Sequence, residues 1–304
     1  MIELEKYLRA VEIINKRFEE QNISDKISAA DILFGNQTIA ESIKELRKFD
    51  EHVSPIFNQK ISNIIFNHYY PEPTNKTFYH FTSLDNFKSI LSNKEIWLFS
   101  LTKRFDDEEF RLFYVDHQMQ GYQEIENGNK KMEDSIMEDT FYTSFSRANE
   151  LSDEESLWNS FGEKGLGVRI EFDVKPKICD FRNVYYETEN DSKLLLQKIN
   201  SSLKKELGGR VLLIPGLSKI GAFYIKGDFE TETETRMIIK KVSDSYDFDF
   251  QEFPYNKSVK YIKLKFDSRF ASINILAVKI GEKIIDRQNI EKLIMEKSKE
   301  IKIL

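Results

Sequence analysis

The chain has 304 residues, 40% of them hydrophobic and 13% aromatic, with 24 Phe against 12 Gly and 6 Pro. That balance supports a real core and excludes a disordered or loop-dominated chain. A net charge of −6 leaves no basic surplus for charge-driven nucleic-acid binding, and the single cysteine, Cys179, excludes both an intramolecular disulfide and a thiolate zinc cluster.

The opening residues, Met-Ile-Glu-Leu-Glu-Lys, are charged and periodic. They lack the basic start, apolar run and small-residue cleavage site of a signal peptide, and no run reaches membrane-spanning length without charge. The expectation is a cytoplasmic protein with no membrane partner.

Residues 1–72 read as a helical segment. Leu4, Leu8, Val11, Ile14 and Phe18 recur at the steps of an amphipathic helix. A second apolar pattern (Ile39, Ile43, Leu46, Phe49) reaches Pro55, and a third (Phe57, Ile61, Ile64, Ile65) runs to His68. Tyr70-Pro71-Glu72-Pro73-Thr74-Asn75 is a strong breaker, because proline cannot sit in a helix interior. It marks the start of a second segment, residues 73–304.

From there the pattern turns to short strands and helices. Thr77-Phe78-Tyr79-His80-Phe81-Thr82 is β-prone, 84–91 helical and Ile96-Trp97-Leu98-Phe99 extended. A helix is expected over 108–122, an acidic linker over 124–138, and a strand at Phe141-Tyr142-Thr143-Ser144-Phe145-Ser146. A short helix at 157–161 ends at Gly162, and a strand spans 167–172. A long helix over 192–207 is closed by Gly208-Gly209. Residues 229–240 read as one strand, which puts Glu230, Glu232, Glu234, Arg236 and Ile238 on one face and Thr231, Thr233, Thr235, Met237 and Ile239 on the other. Strands at 261–266 and 273–280 and a charged helix from Asp286 complete an α+β chain.

Four blocks carry a resemblance: Phe78-Tyr79-His80-Phe81-Thr82-Ser83-Leu84 with Ile90-Leu91 and Ile96-Trp97-Leu98; Ser144-Phe145-Ser146; Leu157-Trp158 with Gly162, Gly165, Gly167 and Phe172-Asp173; and Lys226, Phe229 and Glu232-Thr233-Glu234-Thr235-Arg236. In order and spacing they resemble a widespread bacterial group catalogued as domain-of-unknown-function family 2971, over residues 78–241. Two departures stand out. Phe105-Asp106-Asp107-Glu108-Glu109 replaces the family's usual Asn-Asp-Pro turn, and Phe229 replaces its usual Trp.

The motif order is in turn similar to the ADP-ribosyltransferase superfamily. That resemblance implies a split β-sheet flanked by helices, with NAD as substrate and a protein or nucleic-acid acceptor, or water. It also implies roles: His80 with Thr82 holding the nicotinamide ribose, Tyr142 with Ser144 packing the nicotinamide, and Glu234 bonding the ribose hydroxyl. A toxin or phage-defence effector is the setting it suggests.

The chemistry asks for such residues. Cleaving the nicotinamide–ribose bond builds positive charge on the sugar, which a rigidly held carboxylate stabilises. Glu234 is the candidate, with Glu232 as alternative or as the base for an acceptor, and Arg236 two residues on to keep a carboxylate ionised and oriented. The bland reading of the same strand is a solvated edge with an ion-pair ladder. His80 reads either as a core histidine or as a site residue. No Gly-x-Ser-x-Gly elbow surrounds Ser144 or Ser146, and no phosphate-cradling glycine loop is present. No metal is expected: Asp106, Asp107, Glu108 and Glu109 fit a solvated helix start. A metal-dependent nuclease would have to gather His80, Asp107, Glu232 and Glu234 around one ion.

A different class stays open: a non-catalytic binding or regulatory module whose N-terminal helices hold a partner or self-associate. His80 buried among aromatics, Glu234 locked to Arg236 and no cleft between them would mark it. Convergence of His80, Tyr142, Ser144 and Glu234 on one cleft would mark the enzyme.

Overall fold

The structure is a computed structural model and describes residues 2–32, 55–57, 59–102, 126–127, 130–131, 137–148, 153–187, 195–208, 211–213, 221–225, 227–241, 251–253 and 256–304. The apolar pattern from Ile39 to Phe49, the helix expected at 108–122, the acidic turn at 105–109 and Lys226 lie outside the described residues.

Ten strands form one large sheet: β1 (Thr77–Thr82), β2 (Glu95–Ser100), β3 (Thr140–Arg147), β4 (Val168–Pro176), β5 (Asp180–Asn183), β6 (Glu234–Lys240), β7 (Gln251–Phe253), β8 (Asn256–Lys265), β9 (Ala271–Ile280) and β10 (Lys302–Ile303). The main path runs β7-β8-β2-β3-β1-β4-β9-β10, and β6 joins it by pairing with both β3 and β5. Every pairing is antiparallel except β9 with β10. The chain is therefore a mixed α and β protein built on a mostly antiparallel sheet.

Local chemistry sets the helix limits. The helix Leu84–Asn93 starts where the Ser83 hydroxyl accepts the Asn86 N–H at 3.1 Å, and stops at Lys94, which takes a left-handed φ of 49°. The helix Glu154–Ser160 is capped by Asp153, whose carboxylate accepts the Ser156 N–H at 2.9 Å. The helix Leu195–Leu207 ends before Gly208 at φ +63°, a conformation that favours glycine.

Alternation along the central strands sends side chains into two cores. Phe141, Phe145, Met237 and Ile239 enter one, with Phe78 and Phe172, under the helices Leu84–Asn93 and Arg287–Lys297. Tyr142 and Ile238 enter the other, which Ile2–Glu20, Gln59–Tyr69 and Leu195–Leu207 cover. The N-terminal helix lies on Leu195–Leu207, where Arg17 donates to the Ser202 hydroxyl at 2.8 Å. No helix among the described residues is long and apolar enough to cross a membrane.

Three expectations need correction. The buried stripe of Ile2–Glu20 keeps Ile14 and Phe18, with Val11 packed beside it, and adds Ala10 and Ile13, whereas Leu8 is exposed. Phe57 does not open the third helix but ends a short strand, Pro55–Phe57, parallel to Val211–Leu213. Finally, residues 229–240 are not one strand. Gly227–Glu232 is a 3-10 turn, Thr233 takes φ +45°, and β6 begins at Glu234. Nor is β6 a solvated edge: it has β3 on one side and β5 on the other, and Glu234, Thr235 and Arg236 are all buried.

Candidate functional site

Strand β3 is the spine of the site. Along one edge it pairs with β6 throughout, from Ser146 opposite Glu234 to Thr140 opposite Lys240. Its other edge is shared. β1 pairs only with Arg147 and Ser146, and β2 only with Tyr142 and Phe141. Residues 143–145 face the fork between β1 and β2, and there a cavity of about 320 Å³ opens.

Tyr79, His80, Phe81, Phe99, Tyr142, Ser144, Ser146, Phe161, Glu232 and Glu234 are among its lining residues. Five segments distant in sequence thus meet in one place. The sheet also bears a larger groove of about 920 Å³ along β9 and β10. Its four lysines (Lys94, Lys265, Lys297, Lys302) balance four acids (Glu171, Asp173, Asp267, Glu300), and none of the expected site residues line it. Size is a weaker guide than converging polar groups, so the smaller cavity is the candidate.

Glu234 is the most constrained residue there. Its carboxylate accepts from Arg236 Nε at 2.7 Å and Nη2 at 3.0 Å, with both residues almost fully buried. Arg236 Nη1 donates to the Ala222 carbonyl, and the guanidinium lies 5.6 Å from the Tyr142 ring centre. The Glu234 N–H donates to the Tyr186 hydroxyl at 2.6 Å, and its carbonyl accepts from Arg147 Nη1 at 2.9 Å and the Val184 N–H at 3.0 Å. Burial, then the nearby Glu234 charge, push the Tyr186 hydroxyl far above its ordinary range, so it is neutral.

Thr233 lies in the chain between the two lining carboxylates. In a continuous strand its neighbours would be spaced along β6. Its left-handed backbone, unusual for a β-branched residue, instead turns the chain between Glu232 and Glu234. Its carbonyl accepts the Arg147 N–H at 3.0 Å, which ties the turn to the end of β3.

His80 faces the opposite core. It is opposite Ile170, and its ring lies against Phe145 and Phe172 with centroids 5.9 and 6.3 Å away. Its Nδ1 is 3.0 Å from the Ser144 carbonyl. A carbonyl only accepts, so Nδ1 carries the proton, and the ring supplies the donor that no strand offers at the fork. Burial lowers its pKa, with the bond to Ser144 partly offsetting this.

The remaining expected residues divide. Tyr142 and Ser144 line the cavity, on the same face as Glu234 and Arg236 by register. Arg236 lies behind Glu234 rather than in the lining, and Thr82, buried opposite Val168, is away from it. Gly167 owes its identity to that strand end: a Cβ there would sit 2.2 Å from the Thr82 carbonyl.

Trp158 meets Phe81 edge to face at 5.2 Å. Its Nε1 donates to Glu154 Oε1 at 3.0 Å, an oxygen that Arg169 and Lys279 also hold. Burial would raise the Glu154 pKa, but Lys279, the Trp158 N–H and Arg169 outweigh it and hold the carboxyl below its usual range. Arg147, Tyr186, Phe161 and Phe99 were not singled out in the sequence. No motif marks them, since each matters only through a long-range contact.

Unsatisfied groups gather here too. Among the described residues, three buried side-chain atoms lack a hydrogen-bond partner: Ser144 Oγ, Thr233 Oγ1 and Arg169 Nε. The first lines the cavity, the second lies between its two carboxylates, and the third belongs to a guanidinium 4.0 Å over the lining ring of Tyr79. A buried polar group without a partner is costly, and a water, an ion or a ligand is needed to complete its bonding. No group of three or more His, Cys, Asp and Glu among the described residues is placed to hold a metal ion.

Comparison with known proteins finds no match: no family model, no curated protein and no solved structure is similar to the chain.

Two outcomes are expected. Arg236→Met leaves the Glu234 carboxylate buried without its counter-ion and should cost about 3–5 kcal/mol; combining it with Glu234→Gln should recover part of that loss in urea unfolding. His80 is disfavoured as a cation in the fold, so its stabilising contribution is present above the ordinary value of 6.5 and is lost as pH falls from 6.5 through the lower folded value. Burial likewise lowers His68. As pH falls below 6.5, urea midpoints of the native chain should therefore decline more steeply than those of His80→Gln.

Proposed function

We propose that the chain cleaves the nicotinamide–ribose bond of NAD⁺ and passes ADP-ribose to a macromolecular acceptor or to water. The observation that carries this reading is the convergence of Tyr142, Ser144, Glu232 and Glu234 on one cavity, which His80 borders with its ring turned to the opposite core. A sheet that forks at this cavity also suits the ADP-ribosyltransferase-like arrangement that the motif order implies.

Each residue then has a task. The bond from the ribose C1′ to the ring nitrogen breaks, and its electron pair neutralises the nicotinamide. Positive charge builds at C1′, near two carboxylates in a partly dry cavity. Arg236 donates to both Glu234 oxygens, and the carboxylate is the group that accepts from a ribose hydroxyl. Glu232, more exposed than Glu234, takes the proton of the acceptor as the new bond to C1′ forms. Tyr142 and Phe161 enclose the leaving ring, and Ser144 Oγ can donate to it. His80 positions β3 from the reverse face.

A second reading has its own observation. Arg236 holds both Glu234 oxygens and His80 packs among aromatics, two of the three features of a non-catalytic ligand- or protein-binding module. The third, absence of a cleft, is not met, and this favours turnover.

Nicotinamide release from labelled NAD⁺ decides between them. Release by the native chain should drop about 100-fold or more in Glu234→Gln, and dependence on added cell lysate would identify transfer rather than hydrolysis. No release from the folded native chain would leave the binding module.

A further inference from the structure

We propose that Glu154 is a positioning residue of this site: through one carboxylate oxygen it fixes the cavity wall formed by Tyr79, Phe81 and Phe161, and so sets how tightly NAD⁺ is held. The use of the wall rests on the NAD⁺ reading, whereas the fixing of the wall rests on contacts alone.

The need for Glu154 begins in the sheet. Arg169 of β4 and Lys279 of β9 stand opposite each other in the register, and like charges in that relation destabilise a sheet. Arg169 is also buried, so water cannot compensate its charge. Glu154 brings the missing anion from outside the sheet. Its Oε1 lies 3.0 Å from Arg169 Nη1 and 2.9 Å from Lys279 Nζ, and it accepts the Trp158 Nε1–H at 3.0 Å.

Each of the three lining rings is tied to this oxygen. The Arg169 guanidinium lies 4.0 Å over the ring of Tyr79. Trp158 meets Phe81 edge to face. Phe161 follows the helix Glu154–Ser160 and donates its N–H to the Leu157 carbonyl at 2.9 Å. That helix has seven residues and one buried side chain, Leu157, so its own propensity and packing hold it weakly. The ion pairs at its first residue are the stronger attachment to the sheet.

The far end of the segment is held by backbone. Gly281 donates to the Gly167 carbonyl and Lys283 to the Gly165 carbonyl, both at 3.0 Å. A Cβ on Gly281 would lie 2.3 Å from the Gly165 carbonyl oxygen, so only glycine permits this approach. Between the two anchors, Glu163 and Lys164 take left-handed φ values of 50° and 55°, conformations that persist only where the surroundings impose them. Phe161 lines the cavity although it is 48% exposed. Its own packing does not fix it, and the anchors do.

A residue that acts through Phe161 leaves a signature that a purely stabilising residue lacks. Glu154→Gln should raise the KM for NAD⁺ in nicotinamide release about 10-fold with kcat changed less than about threefold, because the wall encloses the ring before and during cleavage alike. Phe161→Ala should also raise KM, and the double variant should raise it no further than Phe161→Ala alone. Lys279→Met leaves Arg169 on the oxygen and is the milder second variant, expected to raise KM about threefold or less. Without NAD⁺, hydrogen exchange of amides 157–166 in the full chain should quicken about 10-fold in Glu154→Gln, with β1 and β3 unchanged.

Unchanged exchange over 157–166, or equal acceleration in β1 and β3, would overturn the proposal. So would KM effects of Glu154→Gln and Phe161→Ala that multiply. Local acceleration in a chain that releases no nicotinamide keeps the fixing of the wall and loses the turnover reading. Turnover with KM unmoved in both Glu154→Gln and Lys279→Met keeps that reading and removes this inference.

Discussion

The buried ion pair of Glu234 with Arg236 is the constraint on which the centre of this protein depends. Taking two full charges out of water costs several kcal/mol for each ion, and the loss is offset only where geometry is good and every remaining group is bonded. Here the pair is bidentate, Arg236 Nη1 has the Ala222 carbonyl, and the Glu234 backbone is held by Tyr186, Val184 and Arg147. The partners come from loops and strands far apart in sequence, so satisfying the pair draws them together. Register matters as well. Ser146 and Ser144 lie opposite Glu234 and Arg236, and such small side chains leave room for the longer pair to lie along the sheet.

Around the pair, strain and incomplete bonding collect at the fork. Thr233 holds a left-handed backbone that costs roughly 1–3 kcal/mol for such a residue, and its hydroxyl and that of Ser144 lack partners. The fork itself removes ladder bonds from residues 143–145, and a histidine ring replaces one of them. A fold optimised for stability alone would close this gap. Keeping it open is consistent with a site whose bonding a ligand completes.

The sequence was legible where local pattern decides structure. A run of ring residues flanked by Thr marks Thr77–Thr82 as a strand, and the structure has the same bounds. Gly208 marks a helix stop, and it takes φ +63° in the structure. No local signal in the sequence places His80, Tyr142, Ser144 and Glu234 around one cavity.

What the pattern hid depends on distance. Alternation of Glu and Thr over 230–235 looks like a strand, but the turn at Thr233 is held by Arg147, 86 residues earlier in the chain. The opposite facing of His80 and Glu234 depends on sheet register, which no single strand reveals. Tyr186 and Ala222 have no motif of their own and matter only as partners to the buried pair. For Ile2–Glu20, the helix was readable, while its buried face was set by Leu195–Leu207, nearly two hundred residues away.

The most direct test of this account is a crystal structure of the Glu234→Gln chain with NAD⁺. The account predicts the nicotinamide ring in the fork between Tyr142 and Phe161, the ribose hydroxyls within hydrogen-bond reach of residue 234, and Ser144 Oγ bonded to the ligand. NAD⁺ bound instead in the groove along β9 and β10, or an empty fork under saturating ligand, would contradict it.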